Sequence, residues 1–320
     1  MAAKIVFGAA GLPYLPTDAA DKQISLLRKY GIKDLDTASI YTGSEAILGS
    51  TGASKDFVVH TKAPGFSSGS LSKRSIKDGM EKSLKELKLA SVETYFLHCP
   101  DPDTPIEETL EAIQELYLAG KFRRFGLSNF EVSAVESIHS LATERGYVLP
   151  TVYQGNYNAV ARHVEKDLFP VLRRLKMSFW AYSPIAGGFL VRSPQAIKEG
   201  NHGRFDKGTF VGQMYHDLYA KPSLVSALEQ WELVAKKVGT TKAGLAYRWV
   251  RFNSALQGAC EDSLILGASS PAQLEQTLNY LAEGPLPQEV LPDIADIWES
   301  VKDDAPVDNY QAYWKDKLST

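Results

Sequence analysis

Asp36, Tyr41, Lys62 and His98 are the four side chains on which this sequence could run proton chemistry. Asp36, Lys62 and His98 each stand where a short apolar run stops, and Tyr41 follows Asp36 by five residues. A lysine ammonium beside a phenol favours the phenolate, which lowers the tyrosine pKa and makes it a better acid near neutral pH. Asp36 could hold that lysine in place as the ammonium, while His98 could orient a carbonyl oxygen or assist a proton relay. The set suits delivery of a proton to a carbonyl oxygen. No side chain donates hydride, so the reduction would require a nicotinamide or flavin.

Each residue also has a plainer reading. Asp36-Thr37 can cap a helix, Tyr41 can line a rim, Lys62 can end a strand in solvent, and His98 can bond backbone. Metal catalysis finds little support: the six histidines stand in unlike contexts, with no HxH or HExxH spacing. A zinc site on His98 and Asp36 would lack further strand-end ligands. A lyase or aldolase using Lys62 as a Schiff-base nucleophile is the mechanistic rival.

The elements that must position these residues read as alternating strands and helices. Strands are expected at residues 5–8, 57–62, 92–97, 122–127, 151–154, 177–182 and 264–266, with a further short run closing on Asp36. Helical spacing recurs at 18–30, 45–48, 73–87, 132–143 and 165–175. Thr104-Pro105 followed by Glu107-Glu108 reads as a helix start, with Thr104 the cap and proline at the first position. Ser128-Asn129, Gln154 and Tyr182-Ser183 repeat the pattern of polar residues closing apolar runs. Strands whose carboxyl ends share a pocket describe a (β/α)8 barrel. A doubly wound open sheet competes, but Gly8-Ala9-Ala10-Gly11-Leu12-Pro13 is not the GxGxxG loop it usually carries.

The whole chain, 1–320, reads as one barrel domain. Residues 189–222 form a segment too long for a routine connection, expected to be an active-site loop that buries Phe205, Phe210, Tyr215 and Tyr219. Residues 285–320 form a C-terminal extension in which a helix over 290–301 could plug one barrel end, followed by a tail packed across the body. With 44% hydrophobic and 23% charged residues the composition is that of a folded domain, and a net charge of -3 provides no broad attraction for nucleic acid. Two cysteines without CxxC spacing, no signal-peptide pattern and no membrane-length apolar run lead us to expect a cytoplasmic protein with no membrane partner.

The ordered motifs resemble those of the aldo-keto reductases across residues 3–284. Asp36-Thr37-Ala38-Ser39-Ile40-Tyr41 with Ser44-Glu45-Ala46-Ile47-Leu48-Gly49, Thr61-Lys62, Tyr95-Phe96-Leu97-His98 and Gly126-Leu127-Ser128-Asn129 carry the resemblance. Stretches at 149–158, 181–190 and 265–275 are most similar to the aflatoxin-aldehyde reductase group. That resemblance implies NADPH-dependent reduction of a small carbonyl substrate, commonly by a homodimer. It places Tyr41, Asp36, Lys62 and His98 in catalysis. Ser128, Asn129 and Gln154 would hold the nicotinamide carboxamide, Tyr182 would stack on the ring, and Ser183 would begin the loop over the pyrophosphate. Further cofactor contacts fall to Gly188, Leu190, Arg192, Arg204, Gly267, Ser269, Ser270 and Gln273. The potassium-channel beta-subunit branch shares the catalytic four, so a cofactor-binding regulatory role is the alternative.

Three departures matter. The Tyr41-Thr42-Gly43-Ser44-Glu45 loop is short, and Thr277 replaces a common asparagine on the adenine side. Tyr215-His216-Asp217-Leu218-Tyr219 lacks the arginine that relatives use on carboxylated aldehydes, which favours a neutral, apolar or aromatic substrate unless Lys221 or Arg204 substitutes.

Overall fold

The computed structural model describes residues 1–201 and 203–318. Eight strands, β1 (Lys4–Gly8), β2 (Asp34–Asp36), β3 (Val58–Lys62), β4 (Val92–Leu97), β5 (Phe122–Ser128), β6 (Pro150–Asn156), β7 (Ser178–Tyr182) and β8 (Ser263–Leu266), pair in parallel in sequence order. β8 returns to β1, with Leu264 opposite Ile5, and closes the barrel. Strands covered on both faces must be almost wholly apolar where they meet the helices. Phe7, Leu35, Val59, Tyr95, Leu97, Leu127 and Phe179 meet that demand in the main core.

Inside the barrel Val6, Phe96, Val152, Trp180 and Ile265 form a separate apolar layer. A polar chain adjoins it: His60 bonds Asp34 at 3.1 Å and Thr94 at 2.8 Å, and its ring meets Trp180 edge-on. The interior is thus packed, and the reactive groups gather at the carboxyl ends of the strands. Asp36 ends β2, Lys62 ends β3, His98 follows β4, Ser128 ends β5 and Tyr182 ends β7.

Three expectations need correction. The helix after β4 begins at Ile106, and Thr104 does not cap it: its hydroxyl donates instead to Asp101 at 2.7 Å. Asp101 also accepts from Leu71 N at 2.9 Å, so that carboxylate organises the loop and competes for the threonine. The segment 189–222 is not an irregular loop, since it folds into Pro194–Glu199, Gly203–Phe205 and Phe210–Tyr219. Ser193 and Thr209 cap the longer two through their hydroxyls. Phe205, Tyr215 and Tyr219 are buried there, whereas Phe210 is 54% exposed. Finally, the helix Leu291–Val301 packs chiefly on the helix Pro222–Val238, with Lys237 and Asp293 paired at 2.7 Å, rather than plugging the barrel.

Candidate active site

Lys62 is completely buried, and its ammonium donates to Asp36 Oδ1 at 2.8 Å, Asp36 Oδ2 at 2.7 Å and the Thr37 carbonyl at 2.7 Å. A buried ammonium is tolerated only when paired and fully hydrogen-bonded, and both conditions hold. Gln154 Nε2 donates to Asp36 Oδ1 at 2.9 Å. One carboxylate therefore ties together the ends of β2, β3 and β6.

Tyr41 lies in the short loop after β2, just before Gly43 at φ 86° opens the helix Ser44–Ser50. The Lys62 ammonium stands 5.1 Å from the centre of its ring, and His98 meets the ring edge-on at 5.7 Å. Burial raises the Tyr41 pKa, Lys62 pulls it down, Asp36 raises it and Arg204 lowers it, and the net shift is upward. The expected lowering is thus overturned: the lysine acts in the right direction, but desolvation outweighs it and Asp36 offsets part of its charge. Burial, then Lys62, holds His98 well below the ordinary imidazole value, so it is neutral at neutral pH. Its Nδ1 is buried without a hydrogen-bond partner. Orphaned buried polar atoms are rare and call for a functional reason.

Asn129, Ser128 and Tyr182 form the adjoining wall. The Tyr182 hydroxyl donates to Asn129 Oδ1 at 2.7 Å, and Asn129 Nδ2 donates to the His98 carbonyl at 2.9 Å and Ser128 Oγ at 3.1 Å. Asn129, Ser183, Ala186 and Phe66 all adopt positive φ without being glycine; Asn129, Ser183 and Phe66 lie in loops that follow strands at this mouth, and Ala186 opens the short helical turn Ala186–Val191. Each such residue costs roughly 1–2 kcal/mol, a strain that tends to gather at functional sites. Gly187 and Gly188 continue the turn at φ 66° and 103°, and Leu190 is buried just beyond.

Gly267 leads from β8 to Ser269, Ser270 and Gln273, which converge at the start of the helix Pro271–Ala282. Ser269 Oγ donates to Gln273 Oε1 at 2.6 Å, and Ser270 Oγ caps Gln273 N at 3.2 Å. Thr277 is buried on that helix. The two candidate arginines rest on aromatics of the long segment: Arg192 lies 5.4 Å from the Phe205 ring centre, and Arg204 Nη1 is 3.5 Å from the Tyr215 hydroxyl. Lys221 is committed elsewhere, donating to the Asp304 carbonyl at 2.7 Å.

One residue at this mouth, Phe66, escaped the sequence reading, and it joins the C-terminal tail to the site. Phe66 meets His98 edge-on at 5.1 Å and Trp314 at 5.3 Å, and Trp314 meets Phe210 at 5.1 Å. An aromatic path therefore runs from Tyr41 through His98 and Phe66 to the C-terminal segment and back to the long one. No local pattern signals it, because successive partners lie from 32 to 248 residues apart along the chain. Among the described residues no group of three His, Cys, Asp or Glu side chains converges as a metal site would need.

Eight parallel strands closed in sequence order, with this polar set at the carboxyl mouth, define a (β/α)8-barrel protein. The chain belongs to the aldo/keto reductase family, whose model matches residues 4–299. It is 39% identical over 285 residues to oxidoreductase sirO of Leptosphaeria maculans, covering 88% of this chain and 86% of that one. It is 40% identical over 291 residues to aflatoxin B1 aldehyde reductase member 2 of Rattus norvegicus, covering 86% and 79%. It is 39% identical over 308 residues to aldo-keto reductase family 7 member A3 of Homo sapiens, covering 91% of both. The family and the oxidoreductase relatives support carbonyl reduction with a nicotinamide cofactor.

Proposed function

We propose that this protein reduces an aldehyde or ketone to the alcohol with NADPH, using Tyr41 as general acid. The observation that supports this most is the buried Asp36–Lys62 pair set beside Tyr41 and His98. When bound, the cofactor supplies the hydride. The side chains present fit such a group. Ser128, Asn129 and Gln154 would hold the carboxamide, Tyr182 would lie against the ring, and Ser183, Gly188, Leu190 and Gly267 would line the pyrophosphate path. Ser269, Ser270 and Gln273 at a helix start would take the 2′-phosphate, with Arg192 or Arg204 supplying charge.

Neutral His98 orients the carbonyl oxygen, and Tyr41 gives that oxygen its proton as negative charge develops there. The Lys62 field stabilises the phenolate left behind, and Asp36 fixes Lys62. The substrate is neutral and apolar or aromatic, since Lys221 is held by Asp304 and the wall beyond His98 is Phe66 and Trp314. Arg204, whose charge reaches Tyr41, is the cation a carboxylated substrate would have to use.

Purified protein should quench NADPH fluorescence and oxidise NADPH when given neutral aromatic aldehydes. Failure to bind any reduced nicotinamide would remove the reading. A cytoplasmic homodimer belongs to the same reading, and light scattering tests the dimer.

A further inference from the structure

Tyr41 sits in a loop that is tied to β3 on both sides. Before it, Thr37 N donates to the His60 carbonyl at 2.9 Å, and Lys62 Nζ donates to the Thr37 carbonyl at 2.7 Å. After it, Thr61 Oγ1 donates to Glu45 Oε1 at 2.5 Å. Successive side chains of a strand point to opposite faces. Lys62 therefore reaches into the mouth, while its neighbour Thr61 turns outward to the helix Ser44–Ser50. Glu45 and Thr61 are both buried, so this hydrogen bond is shielded from competing water.

We propose that Glu45 is a positioning residue: with Thr61 it forms a clamp that fixes where the Tyr41 phenol stands relative to Lys62. The bond joins the residue four positions after the acid to the residue immediately before the lysine. The chain between Tyr41 and Glu45 has little slack. Ser44 N donates to the Tyr41 carbonyl at 2.8 Å, and Tyr41 N donates to the Ala38 carbonyl at 3.0 Å. Ser44 Oγ meets Thr37 Oγ1 at 2.9 Å and closes the neck of the loop.

The helix itself is pressed on its neighbour, since a Cβ on Gly49 would lie 2.0 Å from the Glu86 carbonyl oxygen of the helix Lys73–Leu87. Releasing the clamp thus frees the loop end that carries the acid, while the lysine keeps its own bonds to Asp36 and Thr37. Glu45 acts through Tyr41 and touches no reacting atom. Misplacing a reacting group by about 1 Å can cost about 10²-fold in rate.

This inference rests on Tyr41 being the acid, and its test separates the two. Amide hydrogen exchange of the full chain without cofactor reads the clamp alone. Glu45→Ala and Thr61→Val should each speed exchange of residues 41–44 about tenfold. Glu45→Gln and Thr61→Ser, which keep an acceptor and a donor, should leave it unchanged. Turnover per NADPH-binding site, counted by fluorescence titration, should fall about 10–100-fold in the first pair and recover in the second. KM for a neutral aromatic aldehyde should move less than about threefold.

The double variant Glu45→Ala/Thr61→Val should be no slower than the slower single one, because both remove the same bond. If Glu45→Ala does not fold, Thr61→Val against Thr61→Ser carries the same comparison. Additive losses in the double variant, unchanged exchange in Thr61→Val, or Thr61→Ser as poor as Thr61→Val overturns the clamp. Full turnover in Tyr41→Phe, with the exchange pattern as expected, instead overturns the functional reading and leaves the clamp standing.

Discussion

The Lys62 ammonium lies 5.1 Å from the centre of the Tyr41 ring, yet all its hydrogens go to Asp36 and Thr37. Lysine therefore acts on the phenol through its field and not through a hydrogen bond. That field is partly cancelled by the carboxylate that fixes it. Burial then leaves Tyr41 a protonated phenol through the neutral range, available as an acid.

Tyr41→Phe should lower turnover roughly 10²–10⁴-fold, the usual range for losing a general acid. NADPH affinity, read by fluorescence titration, should stay within about twofold because the ring remains. Unchanged turnover would place the acid elsewhere.

Lys62→Met should be harmful in two ways. It leaves Asp36 buried without its counter-ion, which typically costs about 3–5 kcal/mol. It also removes a cause that lowers the Tyr41 pKa, so the residual activity should need a higher pH to reach any alkaline fall. Thermal unfolding and a pH–rate profile check both; a variant as stable as the natural chain would contradict the pairing.

His98 predicts an acid-side loss of stability. Its folded pKa lies well below the ordinary 6.5, so the unfolded chain binds the proton first and stability falls as pH drops below about 6.5. His98→Asn should flatten that slope in urea unfolding at several pH values. The buried Asp308 carboxyl, which burial pushes up to about 6, contributes in the opposite sense below that pH, so the comparison should be made in an Asp308→Asn background.

Trp314→Ala should lower kcat/KM for a neutral aromatic aldehyde about tenfold, an effect of aromatic contact and lost area. A short aliphatic aldehyde should be affected far less. If a carboxylated aldehyde is the better substrate of the natural protein, the neutral pocket is wrong and Arg204 is the cation to remove next.

The barrel was legible because strand ends such as Lys62 and His98 interrupt strongly apolar runs, and that alternation admits few topologies. Asp36, Lys62 and Gln154 meet because those ends share one rim. The direction of the Tyr41 shift was not legible, since sequence counts nearby charges but not the water removed by folding. Phe66 was hidden for another reason: it sits at φ 61°, which its residue type does not announce, and it meets Trp314 from far along the chain. Thr104 misled because a threonine before proline has the look of a cap, while Asp101 took its hydroxyl.

The most direct test follows the hydride. Protein given NADPH deuterated at the transferring C4 position and a neutral aromatic aldehyde should yield an alcohol with deuterium on the carbinol carbon. Tyr41→Phe should bind the same cofactor and form that alcohol at a small fraction of the rate. Binding without deuterium transfer in the natural protein, or transfer at full rate without the Tyr41 hydroxyl, would contradict the account.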